Sequence, residues 1–199
     1  LARVHRAGQQ DPGLDAGPSR FDLAQIEARL AGLGAQRHTA EIDADVAELR
    51  RELGQLQQMS PRSRPLPLIH GDLFRDNVLF EPSGALWLLD FESASRGHVA
   101  FDLAVTVLAW CFGDDLSLPL ASSLIAGYAS ERAILPEEEA DLGWGARLAC
   151  LRFATTRITD YELRPAAAVV RKDYRRWIAR RRAILALGEN VPRALRGGL

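Results

Sequence analysis

Cysteine, histidine, lysine and long apolar runs are all scarce in this chain, and each scarcity narrows what it can do. The two cysteines among 199 residues, Cys111 and Cys150, show no C-x-x-C or metal-ligand spacing. Both lie in apolar surroundings of helical pattern, which favours free buried thiols over a disulfide. The histidines, His5, His38, His70 and His98, are scattered, so none has a neighbouring histidine with which to hold a metal. No apolar run reaches the ~18 residues expected of a membrane span, and no signal-peptide pattern is visible. The expectation is a cytoplasmic chain with no membrane segment. A net charge of −1 gives no global pull toward nucleic acid or an anionic bilayer. What is plentiful is apolar: 47% of the residues are hydrophobic, enough to fill the core of one domain or two small ones.

The chemistry is concentrated between Leu66 and Glu92. Pro67-Leu68-Ile69 predicts a buried strand, His70-Gly71-Asp72 follows it, and Asn77-Val78-Leu79-Phe80 predicts a strand leading away. Asp72 then falls on the loop between the two, where a carboxylate can accept a hydroxyl proton. Glu81-Pro82-Ser83-Gly84 is a turn by composition, and the apolar run Ala85 to Leu89 returns antiparallel to end on Asp90. That return brings Asn77 and Asp90 to one mouth. Magnesium takes hard oxygen ligands, keeps several waters, and uses one or two protein carboxylates, so this pair suits it. Phosphoryl transfer asks a protein for little more than this: a held metal and an oriented hydroxyl. A polar hairpin with capping Asp and Asn is the plainer alternative, but it leaves the second Asp and the apolar runs unexplained.

Elsewhere the pattern is helical. Phe21, Leu23, Ile26, Leu30 and Leu33 recur at helical intervals, with Gly34 as a stop. A second helix starts near Thr39, its cap, and its stripe of Ile42, Val46, Leu49, Leu53 and Leu56 is too short for a coiled coil and predicts core packing. Its acids read as a mostly solvated face. Pro61, Pro65 and Pro67 end it. Val99 to Phe112 is apolar nearly all round and hence buried, with Asp102 as the exception. Helices over Leu116 to Ser130 and from Pro136 to about Tyr161 follow, the latter weakened at Gly143 and Gly145 by close packing or a break. The last helix, about Arg171 to Leu187, carries Arg175, Arg176, Arg180, Arg181 and Arg182. A solvated basic face with Trp177, Ile178, Ile184 and Leu185 inward is favoured over nucleic-acid binding. The tail from Glu189 to Leu199 reads as loosely ordered.

Residues 70 to 80 resemble the catalytic loop of the aminoglycoside phosphotransferase superfamily, and most closely that of bacterial kinase-like homoserine kinases. Phe101 to Val105, Leu151 to Phe153 with Thr156, Arg157 and Asp160, and Arg171 to Asp173 agree as well, so the resemblance covers nearly the whole chain. It implies an α+β, predominantly helical fold: the C-terminal catalytic lobe of a kinase-like protein, with a small hairpin sheet at the site. Residues 1–60 would form a helical acceptor-side segment, 66–92 the catalytic loop and metal-binding hairpin, and 99–187 the helical core. It implies Asp72 as catalytic carboxylate, Asn77 and Asp90 as Mg²⁺ ligands, and ATP and a small hydroxyl-bearing metabolite as partners. Asp102 would anchor catalytic-loop amides rather than merely complement a helix dipole. His70 would orient the loop from beneath, through backbone or Asp90. Arg152 or Arg157 could take a substrate carboxylate, although an Arg157–Asp160 surface pair reads equally well.

Homoserine is the first acceptor expected, with aminoglycosides, choline and methylthioribose as alternatives. Leu108-Ala109 stands where homoserine kinases of this type tend to carry Asn-Asp, which would count against homoserine if that pair touched the acceptor. Leu1 to Gly8 resembles the helix that follows the hinge in such proteins, implying an N-terminal lobe upstream. The glycine-rich loop and phosphate-pairing lysine of that lobe are not found here, and Lys172 lies far past the site in sequence. A degenerate lobe serving as a binding module is the competing reading.

Overall fold

The computed structural model describes residues 1–11, 16–17, 19, 21–33, 38–59, 61, 66–163 and 172–198. The expected Gly34 stop, Pro65 and Arg171 lie outside these residues.

Helix α1 (Ala2–Gln10) buries Ala2, His5 and Gly8 along one face. A side chain at Gly8 would collide with the backbone of Leu68, so the helix lies directly on the strand that enters the site. Helix α2 (Leu23–Leu33) buries Ile26, Leu30 and Leu33. Helix α3 (Ala40–Gln58) starts where the Thr39 hydroxyl accepts the Ile42 N–H at 3.3 Å, and buries the whole apolar stripe read from the sequence. Full burial of a residue such as Leu49 or Leu56 is worth about 1.5–3 kcal/mol.

The strands form two short antiparallel pairs rather than one hairpin sheet. β1 (Leu68–Ile69) pairs with β4 (Ser95–Arg96), in register Leu68↔Arg96 and Ile69↔Ser95. β2 (Val78–Phe80) and β3 (Leu86–Leu88) form the expected hairpin, with Val78 opposite Leu88. The β1–β4 pair closes the base of the segment, so its entry and exit lie side by side.

Helix α4 (Val99–Trp110) buries every residue from Val99 to Leu108, Asp102 included. Helix α5 (Leu118–Glu131) follows. The helix expected from Pro136 is divided at Asp141 into α6 (Pro136–Ala140) and α7 (Leu142–Arg157), then a wider turn over Ile158–Glu162. Gly145 explains its own presence: a Cβ there would lie 2.5 Å from the Ala100 carbonyl oxygen, where α7 crosses α4. Cys111 and Cys150 are free and buried. Among the described residues no helix is long and apolar enough to cross a membrane.

Three expectations are corrected. The acids of α3 and the arginines of α8 (Arg175–Leu187) are not separate solvated faces. Arg175 pairs with Glu41, Arg181 with Glu48 and Glu52, and Arg147 of α7 with Glu52 from the other side. Arg180 is buried and donates to the Leu108 carbonyl. Each face looks solvated when its helix is considered singly, and they neutralise each other when packed. Leu185, expected inward, is 40% exposed. The tail is not loose, since α9 (Val191–Leu195) buries Val191, Ala194 and Leu195 at i, i+3, i+4 spacing.

Candidate active site

The loop after β1 is set by its backbone. His70 is fully buried, and Gly71 has φ +77, with Ser93 O 2.9 Å from where a Cβ would stand. Only glycine fits there. Asp102, at the start of α4, accepts the His70 N–H on one carboxylate oxygen at 2.8 Å and the Gly71 N–H on the other at 2.7 Å. His5 adds a third bond at 2.9 Å. Burial alone would raise the Asp102 pKa, but the His5 and loop-amide donors outweigh it and hold the carboxyl below its ordinary value.

His70 has fixed bonding roles. Its Nδ1 accepts the Asp72 N–H at 3.3 Å, and Nε2 meets the Leu89 carbonyl at 2.9 Å. A carbonyl only accepts and an amide only donates, which assigns the neutral Nε2–H tautomer. One ring therefore spans from the backbone of Asp72 to the residue before Asp90.

Asn77 Nδ2 donates to the Asp72 carbonyl at 2.7 Å, so its Oδ1 remains as an acceptor. Leu89 N–H donates to the Asn77 carbonyl at 2.9 Å, continuing the hairpin register by one step. The chain then turns at Asp90 with φ +57, the one non-glycine residue with positive φ among those described. Its side chain accepts the Glu92 N–H at 3.3 Å.

Arg152 enters from α7, almost fully buried, donating to the Gly71 carbonyl and lying 3.6 Å from Asp72. Its guanidinium lies over Phe21, 3.9 Å from the ring centre. Burial raises the Asp72 pKa, and Arg152 and Lys172 partly counter it.

Asp72, Asn77 and Asp90 share a cavity of about 220 Å³ with Arg152, Arg157 and Lys172. Lys172, distant in sequence, is thus brought to the site, a correction to its apparent remoteness. The Arg157–Asp160 surface pair does not form: Asp160 is held by Arg29 at 2.8 Å, and Arg157 donates to the Asp173 carbonyl at 3.0 Å. Burial, with the neighbouring Arg176, pushes the Arg157 pKa down to about 10. His5 was the functional candidate that sequence reading passed over, since nothing local marks its bond to Asp102.

Residues 1–142 match the model of the phosphotransferase enzyme family APH. The chain belongs to that family. It is 36% identical over 197 residues to a homoserine kinase of Caulobacter vibrioides, covering 94% of this chain and 60% of that protein. It is 37% identical over 175 residues to a homoserine kinase of Rhodopseudomonas palustris, covering 86% and 52% respectively. The chain therefore spans between half and two thirds of the length of these relatives. Among solved structures it is similar to a choline/ethanolamine kinase family protein from Mesorhizobium loti, with TM-score 0.62 and 21% identity over 99% of this chain and 65% of that one. The fold is kinase-like, mostly helical with small antiparallel sheets.

Leu108 is buried and neither it nor Ala109 lines the cavity holding Asp72, so that departure from the homoserine kinase pattern lies away from this cavity. Asn77 Oδ1 and the Asp90 carboxylate are hard oxygen donors at one mouth. That donor set suits an ion that takes few protein ligands and draws the rest from water and phosphate.

Proposed function

We propose that this chain carries the catalytic residues of an ATP- and Mg²⁺-dependent small-molecule kinase acting in the cytoplasm, with homoserine as the acceptor. The observation that carries the reading is the gathering, around one cavity, of Asp72, Asn77 and Asp90 with Arg157 and Lys172. The division of labour follows the chain: 1–60 helps wall the acceptor side, 66–92 carries the reacting groups, and 99–187 holds them.

Asp72 takes the proton of the acceptor hydroxyl as its oxygen bonds to the γ-phosphorus of ATP and ADP departs. Its neighbours support that role, because His70 and Asn77 fix the backbone on either side of the carboxylate. Asn77 and Asp90 would hold Mg²⁺, which would neutralise charge on the phosphates. Asp102 and Arg152 fix the loop, through the His70 and Gly71 amides and the Gly71 carbonyl respectively. That engagement makes Arg152 a support for the loop and leaves Arg157 as the better substrate contact.

Among the described residues, neither Arg157 nor Lys172 has a carboxylate within ion-pair distance. Two such cations in the cavity of Asp72 favour an acceptor that carries a carboxylate beyond its hydroxyl.

The test is Mg²⁺-dependent ADP release by the full-length protein with homoserine, choline, an aminoglycoside and methylthioribose in turn, with Asp72→Asn as the blank. Release that requires homoserine supports the proposal. Release driven by another acceptor moves the assignment to that acceptor, and no release with any of them counts against the kinase reading.

A further inference from the structure

Behind Asp102 the hydrogen bonds do not stop at the protein core but continue in one direction through three helices. Arg132 donates to the Tyr128 hydroxyl at 3.0 Å, and Tyr128 lies 2.7 Å from His5 Nδ1. His5 Nε2 lies 2.9 Å from Asp102 Oδ2, the oxygen that also receives the His70 N–H. The Asp102 carboxylate accepts the two loop N–H groups and has no hydrogen to give, so His5 Nε2 donates to it. With Arg132 supplying one hydrogen to the phenol oxygen, Tyr128 has its own O–H to give to Nδ1. One donor from Arg132, then those of Tyr128 and His5, thus run toward Asp102.

The far end is fixed as firmly. Arg132 forms a two-pronged pair with Glu138 at 2.8 and 2.7 Å, and Glu138 also accepts the Leu135 N–H. His5 itself cannot drift, because α1 is tied to the end of α5 by Arg3 and Arg6 on Glu131 and rests on Leu68 through Gly8. His5 and Asp102 are both fully buried, in a setting where an unmet donor or acceptor is costly. A phenylalanine or leucine core would serve packing equally well without that risk.

We propose that His5 and Tyr128 are positioning residues for phosphoryl transfer. Through Asp102 they hold the His70 and Gly71 amides in register, tying the attack geometry at Asp72 to the seat of α1 on α5. The inference rests on Asp72 being the group that takes the acceptor's proton. Its structural half, the grip on two amides, can be read without any turnover.

The experiment compares His5→Leu, His5→Gln and Tyr128→Phe in the full-length protein. For each variant, kcat, KM for both substrates, thermal melting, and hydrogen exchange at the His70 and Gly71 amides are measured. In His5→Leu, kcat falls roughly 10–100-fold with KM near wild type, the size expected for a small misplacement of a reacting group. The two loop amides exchange at least about tenfold faster while those of α7 keep their protection, since an equilibrium tenfold corresponds to one lost bond of ordinary strength. His5→Gln, which can keep a donor near the Nε2 position, recovers most of both effects. Tyr128→Phe moves both readouts the same way by less, and carries the test if His5→Leu does not fold. A folded His5→Leu or Tyr128→Phe with unchanged loop-amide exchange and kcat overturns the proposal, as does a His5→Gln no better than His5→Leu. If the wild type shows no turnover, the kinase reading fails, and the exchange of the two amides still decides whether His5 positions the loop.

Discussion

Arg152 supports Asp72 from below: it donates to the Gly71 carbonyl while its guanidinium stands 3.6 Å from the Asp72 carboxylate. Burial raises the Asp72 pKa and Arg152 restrains the rise, so the two effects set the pH at which the proposed base would become competent. kcat/KM is expected to fall as pH drops through this raised value, because the protonated acid cannot accept a proton. Arg152→Met removes a contribution that lowers the pKa, so the acid limb moves to higher pH. A pH–rate profile in which the limb stays put or moves down would contradict the assignment.

Asp72→Asn separates chemistry from stability. Turnover should fall by at least about 10²-fold, the lower range for loss of a positioned base. The raised pKa means the folded state holds the proton more tightly than the unfolded chain. Its stabilising contribution is therefore present below the ordinary carboxylate value and is lost as pH rises through the folded value. At neutral pH the ionised carboxylate is a burden that Asn removes, so melting at pH 7 should be unchanged or higher. A marked drop in melting temperature would show that Asp72 serves the fold instead.

The metal pair can be tested by demand for Mg²⁺. Asp90→Asn is the cleaner substitution, because Asn tolerates the left-handed backbone found at this position. It should raise the Mg²⁺ concentration for half-maximal rate by roughly tenfold or more while the protein stays folded, as expected when a charged ligand becomes neutral. An unaltered Mg²⁺ titration would exclude Asp90 as a ligand.

Arg157→Met addresses the acceptor wall. A charge-assisted hydrogen bond is worth about 1.5–3 kcal/mol, so KM for a carboxylate-bearing acceptor should rise roughly 10–100-fold. KM for ATP should hardly move. Equal rises for both substrates would indicate a general disturbance of the cavity.

Away from the site, Glu52 has no exposed side-chain surface and holds Arg147 at 2.6 Å and Arg181 at 2.7 Å. Glu52→Ala leaves two largely buried arginines without their shared partner, at a cost of about 3–5 kcal/mol. Chemical denaturation gives the number, and activity per folded molecule should be retained.

Asp72, Asn77 and Asp90 were legible in the sequence because they lie on one continuous strand–loop–hairpin, where spacing alone fixes geometry. The apolar stripes of α2, α3 and α4 were legible for a similar reason, since periodicity reports the buried face directly. His5 was not, because its partner Asp102 is 97 positions away and α1 offers no local clue to the pairing. Lys172 lines the same cavity as Asp72, but nothing in its sequence distance from the loop ties the two together. The charged faces of α3 and α8 misled because polarity is a property of one helix, whereas burial is a property of two. In α9 the i, i+3, i+4 spacing was present, but five residues are too few for a period to stand out.

Asp102 and Arg152 grip the catalytic loop from α4 and α7, the two helices that cross so closely that Gly145 must lack a side chain. The loop therefore has no looseness of its own to lose first. As the protein is warmed, catalysis should persist until the interior gives way and then vanish with it, the inactivation and melting curves falling on the same temperature.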